Sequence, residues 1–247
     1  MSDLLDAARS LWTDLADAKT GFGTDGPTVA VSAGSRLCPP GWVGVVRLGD
    51  SAIITVPTDS VAAGVTEAIA GIDTTHLTDP EQWRRRLPVT EVLGPAFLDY
   101  LSPNDFTPAH TERTEDAPVA VSADSPELAG LLASVEQSEA EESGLAGIDS
   151  PAFVVRHALP DNETHGEVIA AAGYSRVRGV AAHLCVLADP GHRGRGLATL
   201  AASAAVEHAL TAGLLPQWRA RVPESLSVAR RLGFSRMGQQ LSLMLST

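Results

Sequence analysis

Positive charge is scarce in this chain of 247 residues. Lys19 is its only lysine, 18 Lys and Arg stand against 30 Asp and Glu, and the formal net charge is −12. A nucleic-acid partner needs a basic footprint for its phosphates, which this composition does not supply. Cysteine is nearly absent too. Cys38 and Cys185 lie in apolar surroundings, too few for a disulfide framework, and no Cys/His cluster has the spacing of a zinc site. No metal is expected. No apolar run is long enough to cross a bilayer, and "MSDLLDAARSLW" lacks the basic start and small-residue cleavage site of a signal peptide. These absences point to a reduced, cytoplasmic setting, away from membranes and nucleic acid.

What is present is apolar text, 44% of residues, enough for one large core or two smaller ones. Residues 3–18 carry apolar positions at helical spacing, and 28–32, 42–49 and 52–57 read as short strands. A helix follows over 59–71, and 87–101 reads as a loop leading into a short helix. From Ser102 to Glu115 the text turns polar and turn-rich, which marks a domain boundary. Beyond it come a strand (118–122), a helix (125–135) with Ser125 as cap and Pro126 in its first turn, and an acidic helical piece, "EQSEAEESGL". Strands at 152–157, 167–177 and 179–189 lead to a helix from about Arg193 to Ala212. A strand (216–222), a helix (224–233) and a last strand (236–245) close the chain. The expected class is α/β with a mixed sheet: a smaller α+β domain over 1–110, then a second domain over 117–247.

Two glycine loops compete for a phosphate. "GFGTDG" (21–26) fits G-x-G-x-x-G letter for letter, but it follows a helix and opens none, so it reads as a flexible helix exit. "HRGRGLATL" (192–200) has the right context, with a strand before it, Pro190 and Gly191 turning the chain, and a long helix after. The first turn of such a helix offers unpaired N–H groups and the positive end of its dipole. Gly194 and Gly196 let anion oxygens come close, while Arg193 and Arg195 can add charge-assisted hydrogen bonds. Taken alone, a plain turn with solvated arginines explains the loop as well.

The downstream text tips the balance. Gly191-His192-Arg193-Gly194-Arg195-Gly196 resembles the loop Q/R-x-x-G-x-G/A of the GNAT superfamily of acetyl-CoA-dependent N-acetyltransferases. Val222–Ser225 and Ala229-Arg230-Arg231-Leu232-Gly233-Phe234 resemble its N-x-x-S element and the helix ending in L-G-F. The order of elements over 118–247 is similar as well, and the resemblance covers the C-terminal half only. It departs at three positions. Gly191 stands where Gln or Arg is frequent, Val222 replaces the Asn, and Ala229 replaces the tyrosine that in many members protonates the leaving thiolate.

The resemblance implies acetyl-CoA as co-substrate. Pantetheine would lie along the backbone of Val186, Leu187 and Ala188, and the pyrophosphate at His192, Arg193, Gly194, Arg195, Gly196, Leu197 and Ala198, with Ser225 downstream. A backbone N–H of the same strand would face the oxyanion. The acceptor would be a primary amine, small or on a peptide, and the acidic segment favours a cationic one. Glu142 and then His183 are the candidate bases, with Glu141 and Asp149 behind them. Each has a plain alternative: a solvated helix face for the glutamates, a turn for Asp149, a core position for His183. Tyr174 can stand in for the missing acid or simply be packed. Neither cysteine has a base partner, so direct transfer is expected rather than an acyl-enzyme. Which of Trp218, Arg219 and Arg221 face a groove is not readable. For the first domain three roles stay open: shaping the acceptor site, forming a homodimer, or a degenerate remnant. Two other readings compete, a non-catalytic acyl-CoA-binding sensor and a nucleotide module on the same helix end.

Overall fold

The computed structural model describes residues 2–24, 26–113, 116–157 and 166–246. Thr114 and Glu115, the end of the boundary stretch, lie outside the described residues. The chain begins α1 (Ser2–Ala16), β1 (Thr28–Val31), β2 (Val43–Leu48), β3 (Ser51–Val56), α2 (Asp59–Ile69), α3 (Pro80–Arg84) and β4 (Val89–Tyr100). It continues with β5 (Val119–Val121), α4 (Glu127–Ala133), α5 (Gln137–Ser143), β6 (Ala152–Arg156), β7 (Val168–Val177) and β8 (Ala181–Ala188). It ends with α6 (Leu197–Thr211), β9 (Leu215–Ala220), α7 (Pro223–Arg231) and β10 (Ser235–Leu245). The class is mixed α/β. Two compact units emerge, one of Met1–Tyr100, Arg219–Val222 and Arg236–Thr247, the other of Leu101–Trp218 and Pro223–Ser235.

In the first unit the strands run β1-β3-β2-β10-β4. β2 and β3 form an antiparallel hairpin about Gly49, whose φ of +62° suits a glycine turn. The last strand of the chain, β10, pairs antiparallel with β2 from Gly238 opposite Leu48 to Leu243 opposite Val43. Its Leu241 and Leu243 join Val45, Ile54, Val65 and Trp83 in one core. Trp12 of α1 donates its indole N–H to Tyr100 Oη at 2.6 Å, which satisfies both buried polar groups at once. Asp25 of "GFGTDG" lies outside the described residues; Gly21–Thr24 and Gly26 fall between α1 and β1, and no helix follows them before β1 among the described residues.

Residues 87–101 differ from their local reading, because they form β4. Gly94-Pro95 looks like a break, yet Gly94 takes φ +105° within the strand, and a Cβ there would lie 2.8 Å from Gln240 O of β10. A close backbone approach explains that glycine.

The second unit carries the order β9-β8-β7-β6-β5. All its pairings are antiparallel except β8 with β9. Side chains alternate across β8. Cys185 and Leu187 face a core made with Leu128 and Leu131 of α4, and with Leu145 and Ile148 after α5. The opposite face of the sheet meets α6, where Tyr174 of β7 reaches His208. Two helix starts shift from expectation. The cap of α4 is Pro126, with no side-chain hydrogen bond, rather than Ser125. α6 starts at Leu197 rather than Arg193, because Gly194 (φ +77°) and Gly196 (φ +83°) hold left-handed backbone that a helix cannot contain.

Candidate functional site

The parallel ladder between β8 and β9 runs from Ala181–Leu215 to His183–Gln217 and no further among the described residues. From Leu184 to Ala188, β8 is paired on its β7 edge alone. Which backbone groups face the open edge follows from the alternation of an antiparallel pair. Asp189 N–H donates to Ile169 O on β7 at 2.9 Å, so odd-numbered residues of β8 bond towards β7. Val180 O accepts from Leu215 N–H at 2.9 Å, so even-numbered residues turn towards β9. Val186 therefore presents its N–H and C=O to the open edge, while Leu187 spends both on β7. Ala188 O, on the same open side, accepts from Arg193 Nε at 3.3 Å.

The strand ends in a short 3₁₀ turn, Pro190–His192, capped by Asp189. Asp189 Oδ1 accepts from Gly191 N–H at 2.9 Å and from His192 Nδ1 at 2.8 Å. The His192 hydrogen bond is the main reason the Asp189 carboxyl is held below the ordinary carboxylate range, with burial opposing it. The loop that follows is open. A Cβ built on Gly194 or on Gly196 meets nothing within 4 Å. Gly196 caps α6 through its backbone only, so no side chain fills the place in front of the first-turn N–H groups. The helix behind it is 15 residues long, and its dipole points positive at this opening.

The two loop arginines play different parts. Arg193 is strapped down, bonded to Ala188 O and to Glu139 of α5, which ties loop, strand end and helix together. Arg195 is exposed and makes no hydrogen bond or ion pair with the described residues. Glu139 and Asp189 were missed in the sequence. Asp189 had a signal, an Asp opening an Asp-Pro-Gly turn, whereas nothing local singles out Glu139 from its acidic neighbours.

The candidate bases separate. Glu142 is exposed near the end of α5, and Glu141 accepts from Gln137 Nε2 at 2.8 Å. Asp149 is bound to Arg176, taking its backbone N–H at 3.0 Å and its guanidinium at 3.5 Å. His183 is half-buried on the Cys185–Leu187 face of β8. The C-cap of α5, Gly144, sits against Cys185, where an added Cβ would be 2.9 Å from Sγ. The helix end that carries Glu142 thus adjoins the strand face that carries His183.

Three further side chains are engaged by the fold. Tyr174 is fully buried, its Oη lies 2.9 Å from His208 Nδ1, and burial pushes its pKa up. Trp218 is buried edge-on against Phe234 and donates to Ser225 Oγ at 3.0 Å. The serine hydroxyl keeps its own proton to donate. Ala229 is fully buried and Val222 exposed. Arg219 and Arg221 point outward, Arg219 donating to Gln240 Oε1 at 3.3 Å.

The strand, loop and helix just described fall in a segment that matches a known family. Residues 162–239 match the model of the GNAT acetyltransferase family. No curated protein matches the chain. Among solved structures, a GNAT-family acetyltransferase described as putative, from Novosphingobium aromaticivorans, is similar at 20% identity, with 64% of this chain and 67% of that one covered and a TM-score of 0.45. A GNAT-family acetyltransferase from Colwellia psychrerythraea shares 12% identity over 77% of this chain and 75% of its own, with a TM-score of 0.47. A tandem GNAT protein from the clavulanic acid biosynthesis pathway shares 13% identity over 100% and 96%, with a TM-score of 0.46. The open strand edge, the glycine loop and the helix behind it all lie within residues 162–239, the part of the chain that matches the GNAT acetyltransferase family.

Proposed function

We propose that residues 117–247 act as an N-acetyltransferase that takes the acetyl group of acetyl-CoA and delivers it directly to a primary amine. One observation carries this reading: an unpaired strand edge leads straight into an open glycine loop at an uncapped helix start. An extended chain of amides fits the first as an added strand, and a pyrophosphate fits the second. The thioester supplies an activated acyl carbon and a thiolate leaving group. Val186 and Ala188 hold the pantetheine amides, while Gly194, Gly196, Leu197 and Ala198 give backbone donors to the pyrophosphate. His192 stays oriented by Asp189 beside them, Arg193 keeps the loop on the strand, and Arg195 adds charge. Leu187 contributes packing, and Ser225 fixes Trp218.

A backbone N–H of the same stretch would face the place where negative charge grows on the thioester oxygen, a donor of the kind typically worth about 3 kcal/mol. The ammonium of the acceptor loses its proton to Glu142, near the end of α5, or to His183, on the face of β8 that this helix end adjoins. The acidic run of α5 draws in a cationic acceptor, a small amine or a peptide amine. The protein would work in the cytoplasm, where acetyl-CoA and reduced thiols coexist.

A second reading is favoured by one specific finding. Tyr174 is tied to His208 and Ala229 is buried, so neither offers a proton to the leaving thiolate. A domain that holds an acyl-CoA as a sensor, without turnover, would look the same. Calorimetric titration with acetyl-CoA, on the native protein and on a Gly194→Glu, Gly196→Glu double variant, tests the cradle. Binding is expected for the first and loss for the second, with circular dichroism unchanged. Release of free CoA against a panel of amines then separates enzyme from sensor. No binding by the native protein would sink both readings.

A further inference from the structure

Glu139 sits on α5, on the same short helix as Glu142, and it meets the side chain that closes the open edge of β8. By the parity of the strand, Ala188 is its last residue with N–H and C=O turned to that edge. The carbonyl is occupied. Arg193 gives it both Nε and Nη2, each at 3.3 Å. The same Nη2 donates to Glu139 Oε1, and Glu139 is the carboxylate that holds Arg193 among the described residues. An added strand is left with the N–H and C=O of Val186 and the N–H of Ala188.

Both partners of this ion pair are half-exposed, so it contributes little to stability. Its effect is on geometry. A free arginine side chain samples many rotamers, whereas a guanidinium held by a carbonyl on one side and a carboxylate on the other keeps one of them. α5 is a firm anchor for that carboxylate. Its C-cap, Gly144, packs against Cys185 of β8, where an added Cβ would lie 2.9 Å from Sγ. Helix and strand thus clamp Arg193 where a ligand must leave the strand edge for the start of α6, which Gly196 caps.

We infer that Glu139 is a positioning residue for the thioester: acting through Arg193, it fixes where the open edge ends and so sets the register in which the pantetheine arm pairs with Val186. This rests on the acetyl-CoA reading above. It also departs from what the resemblance implies for Arg193, because the guanidinium is committed to a carbonyl and a carboxylate rather than to the pyrophosphate. Register matters here. A slip to the next strand position of the same parity moves a ligand by two residues, about 7 Å, which takes the acyl carbon away from any attacking amine.

The test is calorimetric titration of two ligands, CoA and its pantetheine-free fragment, adenosine 3′-phosphate 5′-diphosphate. They are titrated into the native protein, Glu139→Gln, Glu139→Asp, Arg193→Gln and the Glu139→Gln, Arg193→Gln double variant. Glu139→Gln and Arg193→Gln are each expected to weaken CoA about 5- to 10-fold, the span of one hydrogen bond out of place. The double variant should lose no more than either single one, because both act through one contact. Glu139→Asp should recover part of the loss, the fragment should bind all five proteins alike, and the urea midpoint should not move. Unchanged CoA affinity in Glu139→Gln, or losses that multiply in the double variant, overturns the assignment. So does an equal loss for CoA and fragment in Arg193→Gln, which would make Arg193 a pyrophosphate ligand and leave the acetyl-CoA reading standing. If the native protein does not bind CoA, the acetyl-CoA reading itself fails.

Discussion

At the scale of single residues, two aromatic side chains decide what the fold leaves free for chemistry. Tyr174 lies on β7, and its environment argues for structure rather than proton transfer. It is fully buried, its hydroxyl is satisfied by His208, and burial raises its pKa. Tyr174→Phe is therefore expected to cost about 1 kcal/mol of stability, one buried hydrogen bond with the His208 nitrogen left unsatisfied. Acetyl transfer should be unchanged. The pH dependence has a definite sign. A phenol whose folded pKa is raised stabilises the protein fully below the ordinary tyrosine value and loses that contribution as pH rises through the folded one. The gap in urea midpoint between native protein and variant should shrink on the alkaline side. A large drop in turnover with an unchanged midpoint would instead make Tyr174 the missing acid. Trp218 is the second case, since its indole bond to Ser225 was invisible in the sequence, where the serine stood out only by likeness to a motif.

At the scale of elements, the site is a matter of strand parity. The sequence marks β8 as a strand by its apolar run, and it marks the loop by Gly194 and Gly196. It cannot say which edge of β8 stays open, because that depends on where β9 stops pairing. The structure separates neighbours that the motif had grouped: Val186 turns its amide to the open edge and Leu187 turns its own to β7. Proline substitution exploits that difference, since it deletes one N–H. Val186→Pro should abolish acetyl-CoA binding by calorimetry with the circular dichroism spectrum retained. Leu187→Pro removes a ladder donor between central strands and should unfold the unit. Similar loss of structure in both would mean that the Val186 amide is engaged within the sheet and is not a ligand donor. β4 shows the opposite limit of local reading. Its Gly94-Pro95 pair punctuates the text like a loop, and only the nearness of Gln240 O explains why a glycine is wanted there.

At the scale of the whole molecule, the order of strands does not follow the order of the chain. The text turns polar from Ser102 to Glu115, which suggests a boundary near residue 110, whereas the first run of one compact unit ends at Tyr100 and Leu101–Trp218 belongs to the other. Yet residues 236–247 return to the first unit, where β10 lies between β2 and β4. Nothing in "RMGQQLSLML" announces a partner some 190 residues earlier, because pairing at that separation is set by burial of Leu241 and Leu243 in the core of the first unit rather than by local propensity. The consequence is testable by dissection. A fragment of residues 1–110 would have its sheet split in the middle, with β2 and β4 each missing the strand that lies between them, and exposed edges of that kind template aggregation. It should be largely unfolded or aggregated by circular dichroism and light scattering. A peptide of residues 235–247 added in excess should restore strand signal, since it supplies six paired residues and two buried leucines. Independent folding of the fragment, with no response to the peptide, would show that β10 is dispensable to the first unit and that the two units are separable in solution.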